Sequence, residues 1–457
     1  MTLKLAYYAD DFTGSTDALE FLTRAGARTV LFVKPPSEVT LGKYGELDAI
    51  GVAGLTRSMT PDRMEERLLE DFSSLNELGP RHVHYKVCST FDSSPEIGSI
   101  GRAIEVGRRF FKNQLTPVVV GTPALGRYVA FGNLFARMGI GSQGKIFRLD
   151  RHPSARRHPV TPMREADLVR HLQRQTRKSI GLIDFKELES DNPWAVYEQR
   201  IAEGYEAVVL DTLSVGHLDV IGDLLDELAE AQSVFSVGSS GVEVALGSVW
   251  KRSGALSEKE AFEALEPVSN LLVVSGSCSP VTDSQIEHAT RNGFAEVALD
   301  TSLLTSENGR QQELSRVVEK SCSHLEAGRP AIVHTARGAE DPRITRTQKA
   351  FSGGRIGRQE LKERSGEWFG SALGEVAKEC IQRTGIKRLL VAGGDSSSFA
   401  ARAMGIEAVE MLAPLCPGAP VCRAFAPGSP VDGIELNFKG GQVGDETYFS
   451  QVANGKI

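Results

Sequence analysis

Three glycine-rich turns, each directly after an apolar run, are the segments of this chain best suited to bind an anion. They occupy residues 392–398, 275–279 and 439–444. Glycine lets the backbone approach an anion closely, and the amide groups at the start of a following helix point toward it. A single such turn has little weight, because many strand-to-helix connections need glycine for their geometry alone. Three of them, each combining backbone donors with hydroxyl groups or a lysine, predict a nucleotide.

A pair of adjacent carboxylates supplies a second kind of chemistry. Asp10 and Asp11 follow the first apolar run and precede a turn that contains Gly14. One carboxylate could accept the proton of a substrate hydroxyl or orient a polyol, while the other binds magnesium or caps the next helix. The alternative is that both only stabilise the start of that helix. The pattern leaves both interpretations open.

Other polar residues are better explained by structure than by catalysis. His82 and His84 share one face of a candidate strand, but no further His, Cys or Asp cluster accompanies them as metal ligands. Cys88 has no histidine partner that spacing can assign, so it is interpreted as a buried structural cysteine. The turn at 238–241 could cradle a phosphoryl or carboxylate group, although tight strand-to-helix geometry is favoured.

The elements that position these residues follow an alternation of strand and helix patterns. Short apolar runs bounded by glycine, proline or polar residues alternate with stretches of helical periodicity. This alternation predicts an α/β fold with two domains, each with a largely parallel sheet flanked by helices. A charged stretch near residues 251–267 marks the boundary between the domains. Ligands in such sheets bind beyond the carboxyl ends of the strands, where the motifs above are found.

Composition excludes several classes of protein. The chain has 457 residues, 41% hydrophobic and 24% charged, which is enough for two buried cores. A net charge of -7 argues against a protein that binds a nucleic-acid backbone. Six scattered cysteines without a Cys-x-x-Cys pair favour a reducing cytoplasm over a disulfide scaffold. No signal-peptide pattern and no membrane-spanning apolar stretch are expected.

The segment 9–17 resembles the N-terminal signature of the four-carbon acid sugar kinase family. The segments 275–282, 392–397 and 438–444 resemble nucleotide-binding motifs of that family, and shorter matches at 123–127 and 238–241 keep the same order. The resemblance covers essentially the whole chain. It implies a kinase that phosphorylates small acid sugars, such as threonate, erythronate and 3-oxo-tetronates, from ATP.

The resemblance also implies that the two domains bind different substrates. An N-terminal sugar-acid domain, 1–250, would be joined by a linker, 251–267, to a nucleotide domain, 268–457, with the active site in the cleft between them. ATP and Mg²⁺ are the implied cofactors, and the metal ligands and any homo-oligomer are left open. The catalytic candidates are Asp11 as general base, Asp10 as the group that orients the hydroxyls, and Asp395 for a base or metal role. The substrate candidates are Asp10, Asp11, Lys86, Ser89, Arg127 and Arg151. The ATP candidates are Ser275, Ser277, Gly393, Gly394, Asp395, Ser396, Lys439, Gly440 and Gly441.

One segment departs from the family pattern. Where the family usually reads Lys-Ile-Asp-Ser-Thr-Leu-Arg-Gly, residues 86–93 of this chain have Cys88 in place of Asp and Asp92 in place of Arg. A carboxylate in place of a guanidinium removes a bidentate partner for a substrate carboxylate and adds repulsion. The departure argues against threonate and predicts a branched acid such as 3-oxo-isoapionate or a linear 3-oxo-tetronate. The lost cation could be replaced by Arg127, Arg148, Arg151, Arg156 or Arg157.

Two other functions fit parts of the pattern. A non-catalytic sensor of nucleotide or sugar acid would explain the changes at Cys88 and Asp92 as lost catalysis. A two-domain dehydrogenase is the weakest hypothesis, because the chain lacks a Gly-x-Gly-x-x-Gly after a strand with a suitable acidic residue downstream.

Overall fold

The fold is described by a computed structural model of the chain. It covers residues 3–138, 144–157, 161–257, 261–262, 264–338, 340–352 and 358–456, and it leaves the side chains of residues 352, 358–363 and 395 undescribed. The chain divides into two compact units, residues 1–260 and 261–457. Residues 251–252 of the predicted linker end a helix, and residues 258–260 and 263 lie outside the described residues. The exact domain bounds stay a prediction.

Eight strands of the first unit pair in parallel, in the order β2-β3-β1-β4-β11-β5-β10-β9. Three further strands form a small antiparallel sheet, β6-β7-β8. Every residue of β1 is buried, as expected for a parallel strand covered on both faces. The strands are β1 (Leu5–Ala9), β2 (Thr29–Phe32), β3 (Ala49–Ala53), β4 (His82–Lys86), β5 (Thr116–Val119), β6 (Arg127–Ala130), β7 (Asn133–Arg137), β8 (Ile146–Arg148), β9 (Ile180–Ile183), β10 (Ala207–Leu210) and β11 (Val234–Gly238).

Helices connect these strands, and several begin at a side chain that caps the helix. Ser99, Asp167 and Ser214 each accept a hydrogen bond from a backbone amide in the first turn of the helix that follows. The helices are α1 (Phe12–Arg24), α2 (Glu38–Leu41), α3 (Pro61–Glu77), α4 (Ile100–Phe110), α5 (Leu168–Gln173), α6 (Phe185–Leu188), α7 (Pro193–Ala202), α8 (Val215–Leu228) and α9 (Gly241–Arg252).

An aromatic cluster packs against the central strands of the first unit. The Tyr8 ring stacks on Tyr85 at 6.1 Å and meets the edge of Phe72 at 5.9 Å. Tyr8 and Tyr85 are fully or almost fully buried, and each is the residue before the last of its strand, β1 or β4. The cluster therefore anchors the strand ends from which Asp10 and Lys86 extend.

The second unit has five parallel strands followed by two antiparallel ones, in the order β13-β14-β12-β15-β18-β17-β16. Its core contains Leu271, Ile286, Ile332, Leu390 and Tyr448, all almost fully buried. The strands are β12 (Leu272–Ser275), β13 (Ala295–Ala298), β14 (Ala331–His334), β15 (Arg388–Ala392), β16 (Ala408–Cys416), β17 (Ala419–Phe425) and β18 (Glu435–Lys439). The helices are α10 (Pro280–Arg291), α11 (Glu307–Glu326), α12 (Pro342–Ser352), α13 (Arg358–Thr384), α14 (Gly394–Ala403) and α15 (Tyr448–Asn454).

The predicted fold class is confirmed: the chain is α/β, with mostly parallel strands flanked by helices. The pattern did not predict the hairpin of β16 and β17 or the small antiparallel sheet of the first unit. None of the helices in the described part of the chain is both long and apolar enough to cross a membrane.

Candidate functional site

The three glycine turns leave the sheet of the second unit at the same level. β15 pairs in parallel with β12 on one side and with β18 on the other, so Ala392 lies opposite both Ser275 and Lys439. These are the last residues of their strands, and a turn follows each of them. The sequence prediction that the turns converge at the carboxyl ends of the strands agrees with this register.

Close contacts lock the three turns together. The hydroxyl oxygen of Thr282 lies 3.0 Å from Ser277 Oγ and 3.1 Å from the carbonyl oxygen of Gly441. A Cβ atom at Gly276 would lie 2.0 Å from Ser396 Oγ, and one at Gly441 would lie 2.8 Å from Ser277 Oγ. Glycine is therefore required at both positions for packing. The same packing gathers the N-termini of α10 and α14 near the turns, and amides at a helix N-terminus favour an anion.

Gly393 has a backbone conformation that only glycine adopts easily. Its φ is 123° and its ψ is 128°, at the junction between β15 and α14. Gly394 and Asp395 form the first turn of α14, and the Asp395 side chain lies outside the described residues. Of the remaining ATP candidates, Ser275, Ser277 and Ser396 are buried, whereas Gly440 and Gly441 are partly exposed.

Lys439 lies beneath the turns instead of extending from them. Its side chain is fully buried, and Nζ donates to Thr282 Oγ1 at 3.1 Å. The Tyr448 ring lies 5.9 Å from Nζ, and no carboxylate pairs with it among the described residues. Burial lowers the pKa of Lys439 to about 7. Lys439 is thus a buried amine next to the turns that would hold phosphate, and a bound phosphate would favour its charged form.

In the first unit, a buried arginine joins the two predicted aspartates. Arg57 lies in a short 3₁₀ turn, Thr56–Ser58, that follows β3, and β3 is the direct neighbour of β1. Its Nε and Nη2 atoms donate to the two carboxylate oxygens of Asp10 at 3.2 and 2.9 Å. Its Nη1 atom donates to Asp11. Asp10 and Asp11 are 3% and 2% exposed, so this pairing compensates two carboxylates that water does not reach.

The two aspartates differ in what else they do. Asp11 caps α1, because its Oδ1 atom accepts from the Gly14 amide at 2.7 Å and its Oδ2 atom from the Thr13 hydroxyl at 2.8 Å. Both interpretations of Asp11 are therefore compatible with its geometry. Among the described residues, Arg57 is the side chain that hydrogen-bonds Asp10. Burial raises the pKa of Asp10 to about 6 against the opposing charge of Arg57, and the charge of Asp11 adds to the rise. A carboxylate with that pKa can accept a proton near neutral pH.

Lys86 ends β4 and belongs to a second buried network. Its Nζ atom lies 3.3 Å from Asp17 and donates to the carbonyl oxygen of Val87 at 3.1 Å. Asp17 also accepts a hydrogen bond from the Ser240 hydroxyl. Burial alone would lower the pKa of Lys86, but Asp17 and then Glu243 raise it, so the side chain stays an ammonium. A Cβ atom at Gly14 would lie 3.6 Å from Lys86 Nζ, which brings this cation to the start of α1.

The segment that departs from the family pattern is also held by hydrogen bonds. Cys88 Sγ lies 3.0 Å from Thr90 Oγ1, which donates to Asp92 Oδ2 at 2.9 Å. Burial and the charge of Asp92 raise the pKa of Cys88 to about 11, so the thiol is not a nucleophile. Arg127 Nε donates to Ser89 Oγ at 3.2 Å, which brings two predicted substrate residues together.

The other predicted cations lie elsewhere. Arg151 is exposed, whereas Arg127 and Lys86 are buried. Arg148 pairs with Asp150 at 2.5 Å in the same loop, while Arg156 and Arg157 are exposed. Of the basic residues proposed to replace the lost cation, only Arg127 is buried beside residues 88–92.

Sequence reasoning did not identify Arg57, Glu243 and His84 as parts of the site. Glu243 and His84 form a fully buried pair, with 2.6 Å between Oε1 and Nδ1. A signal for Arg57 was present, because it follows the carboxyl end of a predicted strand in the same way as Asp10 does. The signal for the pair was weaker, since His84 lies inside β4 and Glu243 lies in the first turn of α9, after the turn at 238–241.

No three His, Cys, Asp or Glu side chains are grouped to hold a metal ion in the described part of the chain. Magnesium that arrives with ATP does not require such a group, because phosphate oxygens and waters supply most of its ligands and one carboxylate can suffice. The donors near the turns are therefore compatible with a magnesium–nucleotide complex, and the metal ligands stay open.

Replacing Arg57 by methionine is expected to lower the free energy of unfolding by about 3 kcal/mol, because it leaves two buried carboxylates without their cation. Urea denaturation of the purified protein measures this. The matched control is Arg148→Met, which removes a partly exposed pair of the same unit and should change stability by less than about 1 kcal/mol. Equal effects of the two substitutions would contradict the prediction.

Comparisons with known proteins agree with this division of the chain. Residues 5–246 match the family of sugar-binding N-terminal domains, and residues 272–449 match nucleotide-binding C-terminal domains. A 3-oxo-isoapionate kinase from Paraburkholderia graminis is 41% identical over 100% of this chain and 95% of the relative. A 3-oxo-tetronate kinase from Methylobacterium radiotolerans is 31% identical over 99% of each chain. A crystal structure of a Salmonella typhimurium LT2 protein, 25% identical, has a TM-score of 0.71 and covers 98% of each chain.

The aspartate pair lies within the sugar-binding match, and the glycine turns lie within the nucleotide-binding match. These matches span most of the chain and contain the motifs that carried the predicted resemblance. The chain belongs to the four-carbon acid sugar kinase family.

Proposed function

We propose that this protein transfers the terminal phosphoryl group of ATP to a hydroxyl group of a branched acid sugar, 3-oxo-isoapionate or a close analogue. The chain is a sugar-acid kinase by family, and the sensor alternative is not favoured, since its relatives are named as kinases. The identity of the acceptor acid is the part of the proposal that goes beyond the activity of the family. It is supported by the higher identity to a 3-oxo-isoapionate kinase, 41%, than to a 3-oxo-tetronate kinase, 31%.

The observation that carries the proposed chemistry is the buried charge cluster at the carboxyl ends of β1, β3 and β4. It combines two carboxylates of raised pKa, Asp10 and Asp17, with two cations, Arg57 and Lys86. A Cβ atom at Gly14 would lie 3.6 Å from Lys86 Nζ and 3.8 Å from Arg57 Nη2, so both cations border the same space. Fixed cations in a buried site stabilise negative charge as it develops.

We infer that Asp10 is the general base and that Asp11 positions it. Asp10 accepts the proton of the acceptor hydroxyl, whose oxygen forms a bond to the γ-phosphorus as the bond to the β,γ-bridging oxygen breaks. ADP leaves with that electron pair, and Asp10 returns its proton to water. Arg57 and Lys86 stabilise the charge on the reacting oxygens, and positioning supplies much of the rate. This assignment differs from the sequence prediction, in which Asp11 was the first choice, because Asp11 already caps α1.

Arg127 is the proposed partner of the acid's carboxylate. It is buried, and among the described residues it donates to a hydroxyl and to carbonyl oxygens but pairs with no carboxylate. Burial lowers its pKa, which an incoming carboxylate would oppose. Arg127 thus takes the role of the cation that residue 92 no longer supplies.

ATP and Mg²⁺ are the proposed cosubstrate and metal, with Ser277, Gly393, Gly394, Ser396 and Gly441 at the phosphates. Asp395 remains a proposed partner of the metal. Because ATP is the donor, the proposed reaction takes place in the cytoplasm.

ADP release across a panel of acids tests the function. We expect turnover with 3-oxo-isoapionate and 3-oxo-tetronate to exceed turnover with threonate and erythronate, and mass spectrometry should find a phosphorylated product. Binding of nucleotide and acid without any phosphorylated product from the panel would instead identify a sensor.

ATP affinity is expected to fall as the pH rises from 7 to 9. Lys439 has a pKa of about 7 without a nucleotide. Phosphate favours the charged form, so above that pH binding must take up a proton, and affinity should fall by up to about tenfold per pH unit. Calorimetry in buffers of different ionisation enthalpy measures the proton uptake. In Lys439→Met the affinity should be lower and its pH dependence should disappear, whereas equal proton uptake in both proteins would contradict the role of Lys439.

A further inference from the structure

An open pocket lies directly beside the glycine turn at 439–444. One wall of the pocket is the start of α10, and the other is the segment that joins the turn to α15. The volume is about 480 Å³, which is within the range of small-molecule sites. The pocket is lined by Val281, Ser284, Gly444, Asp445, Glu446 and Thr447. Gly444 therefore belongs both to this pocket and to a turn that is proposed to hold phosphate.

A buried glutamine of α10 holds the two walls together. Gln285 is fully buried, and its Nε2 atom donates to the carbonyl oxygens of Val443 and Asp445, both at 2.9 Å. One turn earlier on the same helix, the Thr282 hydroxyl lies 3.1 Å from the carbonyl oxygen of Gly441. These contacts fix residues 441–445 against α10. The pocket is thus a product of the same packing that joins the glycine turns.

The charge of the lining indicates which part of a nucleotide the pocket can hold. Asp445 and Glu446 are carboxylates, and none of the described residues that line the pocket is a lysine, arginine or histidine. A phosphate or a sugar acid would be repelled there, whereas a hydroxyl group can donate to a carboxylate. An acidic residue binds ribose hydroxyls in this way in other nucleotide-binding folds. The lining therefore suits a neutral group that carries hydroxyls.

The two carboxylates differ in how far their neighbours occupy them. Asp445 Oδ1 accepts from the amide and the hydroxyl of Thr447, at 2.9 and 2.7 Å. Glu446 is exposed and makes no hydrogen bond or ion pair within the part of the chain that the structure describes. Glu446 is consequently the carboxylate with both oxygens available to a ligand.

We propose that this pocket binds the nucleoside of ATP, with Glu446 as acceptor of a ribose hydroxyl. The ribose is bonded to the α-phosphate, so a nucleotide whose phosphates lie at the glycine turns must place its nucleoside next to them. Val281 supplies an apolar contact, and the hydroxyls of Ser284 and Thr447 can accept further hydrogen bonds. This inference rests on the proposed cosubstrate and adds a subsite to it.

Filling the pocket should separate the nucleoside from the phosphates. Titration calorimetry of the full-length protein gives the affinities for ATP and for inorganic tripolyphosphate, which has the phosphates alone, both with magnesium. Ser284 is exposed on α10, so Ser284→Phe adds a ring to the pocket without entering the core. We expect the affinity for ATP to fall by about 10- to 100-fold and the affinity for tripolyphosphate to stay the same.

A second variant and a control complete the experiment. Glu446→Gln should lower the affinity for ATP, relative to tripolyphosphate, by about tenfold, because a charge-assisted hydrogen bond is weakened. The control is Arg291→Phe, which places the same ring at an exposed position in the last turn of α10, about 10 Å along the helix. It should change neither affinity. If Ser284→Phe disturbs the fold, both ligands are lost together, and Glu446→Gln decides.

An unchanged ratio of the two affinities in both Ser284→Phe and Glu446→Gln overturns the inference. Equal affinities of the wild-type protein for tripolyphosphate and ATP also overturn it, since the nucleoside would then contribute nothing. ATP binding without phosphoryl transfer to any acid of the panel would reject the proposed function, while the ratio would still judge the subsite.

Discussion

Replacing Asp10 by asparagine is expected to lower kcat by about a hundred- to ten-thousandfold, the range over which general bases contribute to catalysis. The amide keeps the size of the side chain and can still accept from Arg57, but it cannot take the proton of the acceptor hydroxyl. The dissociation constant of ATP should not change, because the glycine turns are intact. Single-turnover measurements with saturating ATP and acid give the rate of the chemical step directly.

The pH profile distinguishes loss of a base from loss of structure. In the wild-type protein kcat/KM should fall below pH 6, because Asp10 has a pKa of about 6 and its protonated form is inactive. That limb should be missing from the residual activity of Asp10→Asn. Asp11→Asn serves for comparison; because asparagine caps a helix as well as aspartate does, this variant should keep α1 and mainly lower stability through loss of the buried ion pair with Arg57. A larger loss of kcat in Asp11→Asn, with the acidic limb shifted, would reverse the two roles.

Replacing Gly393 by alanine is expected to weaken ATP binding by about a hundredfold. A side chain at φ 123° is strained, and its Cβ atom would lie 3.3 Å from both the Ser277 amide nitrogen and Ser396 Oγ. If the turn moves to relieve a strain of about 1–3 kcal/mol, the amides at the start of α14 no longer point toward the phosphates. Fluorescence titration with a labelled ATP analogue measures the affinity.

A glycine at the other end of the same strand provides the control. Gly385 precedes β15, has a φ of 63°, and a Cβ atom there would meet nothing within 4 Å. Gly385→Ala should therefore cost stability through backbone strain but leave ATP affinity unchanged. If both variants bind ATP equally well, the turn at Gly393 is not part of the nucleotide site. Acid binding should be the same in both.

The buried parallel strands could be predicted from the sequence to within a residue or two. The strands Ala49–Ala53, His82–Lys86, Ala331–His334 and Arg388–Ala392 coincide with short β-rich runs of the sequence that glycine, proline or polar residues bound. Strands covered on both faces are continuous apolar runs between polar boundaries, which is a strong local signal. The hairpin Ala408–Cys416 and Ala419–Phe425 is different, since buried and partly exposed residues alternate in β16 and the pairing shifts register twice. Such irregular strands have a weak signal in a single sequence.

Only those parts of the site that directly follow a strand could be predicted from the sequence. Asp10, Lys86 and the glycine turns follow strands and could be identified, but the partners that set their charge could not. Arg57 is 47 residues from Asp10 along the chain, and Ser240 is 223 residues from Asp17. Burial raises the pKa of Asp10, and that burial depends on packing from several distant segments.

The register of β12, β15 and β18 has a consequence for the synthesis of the protein. Residues 275, 392 and 439 lie at one level of the sheet, but the ribosome produces them far apart in time. Parallel pairing between such distant segments is slow to form, because each contact closes a long loop. The proposed ATP site cannot exist in a nascent chain until the turn after residue 439 has emerged. Nucleotide bound to the completed fold would then stabilise the folded state only after synthesis of the second unit is almost finished.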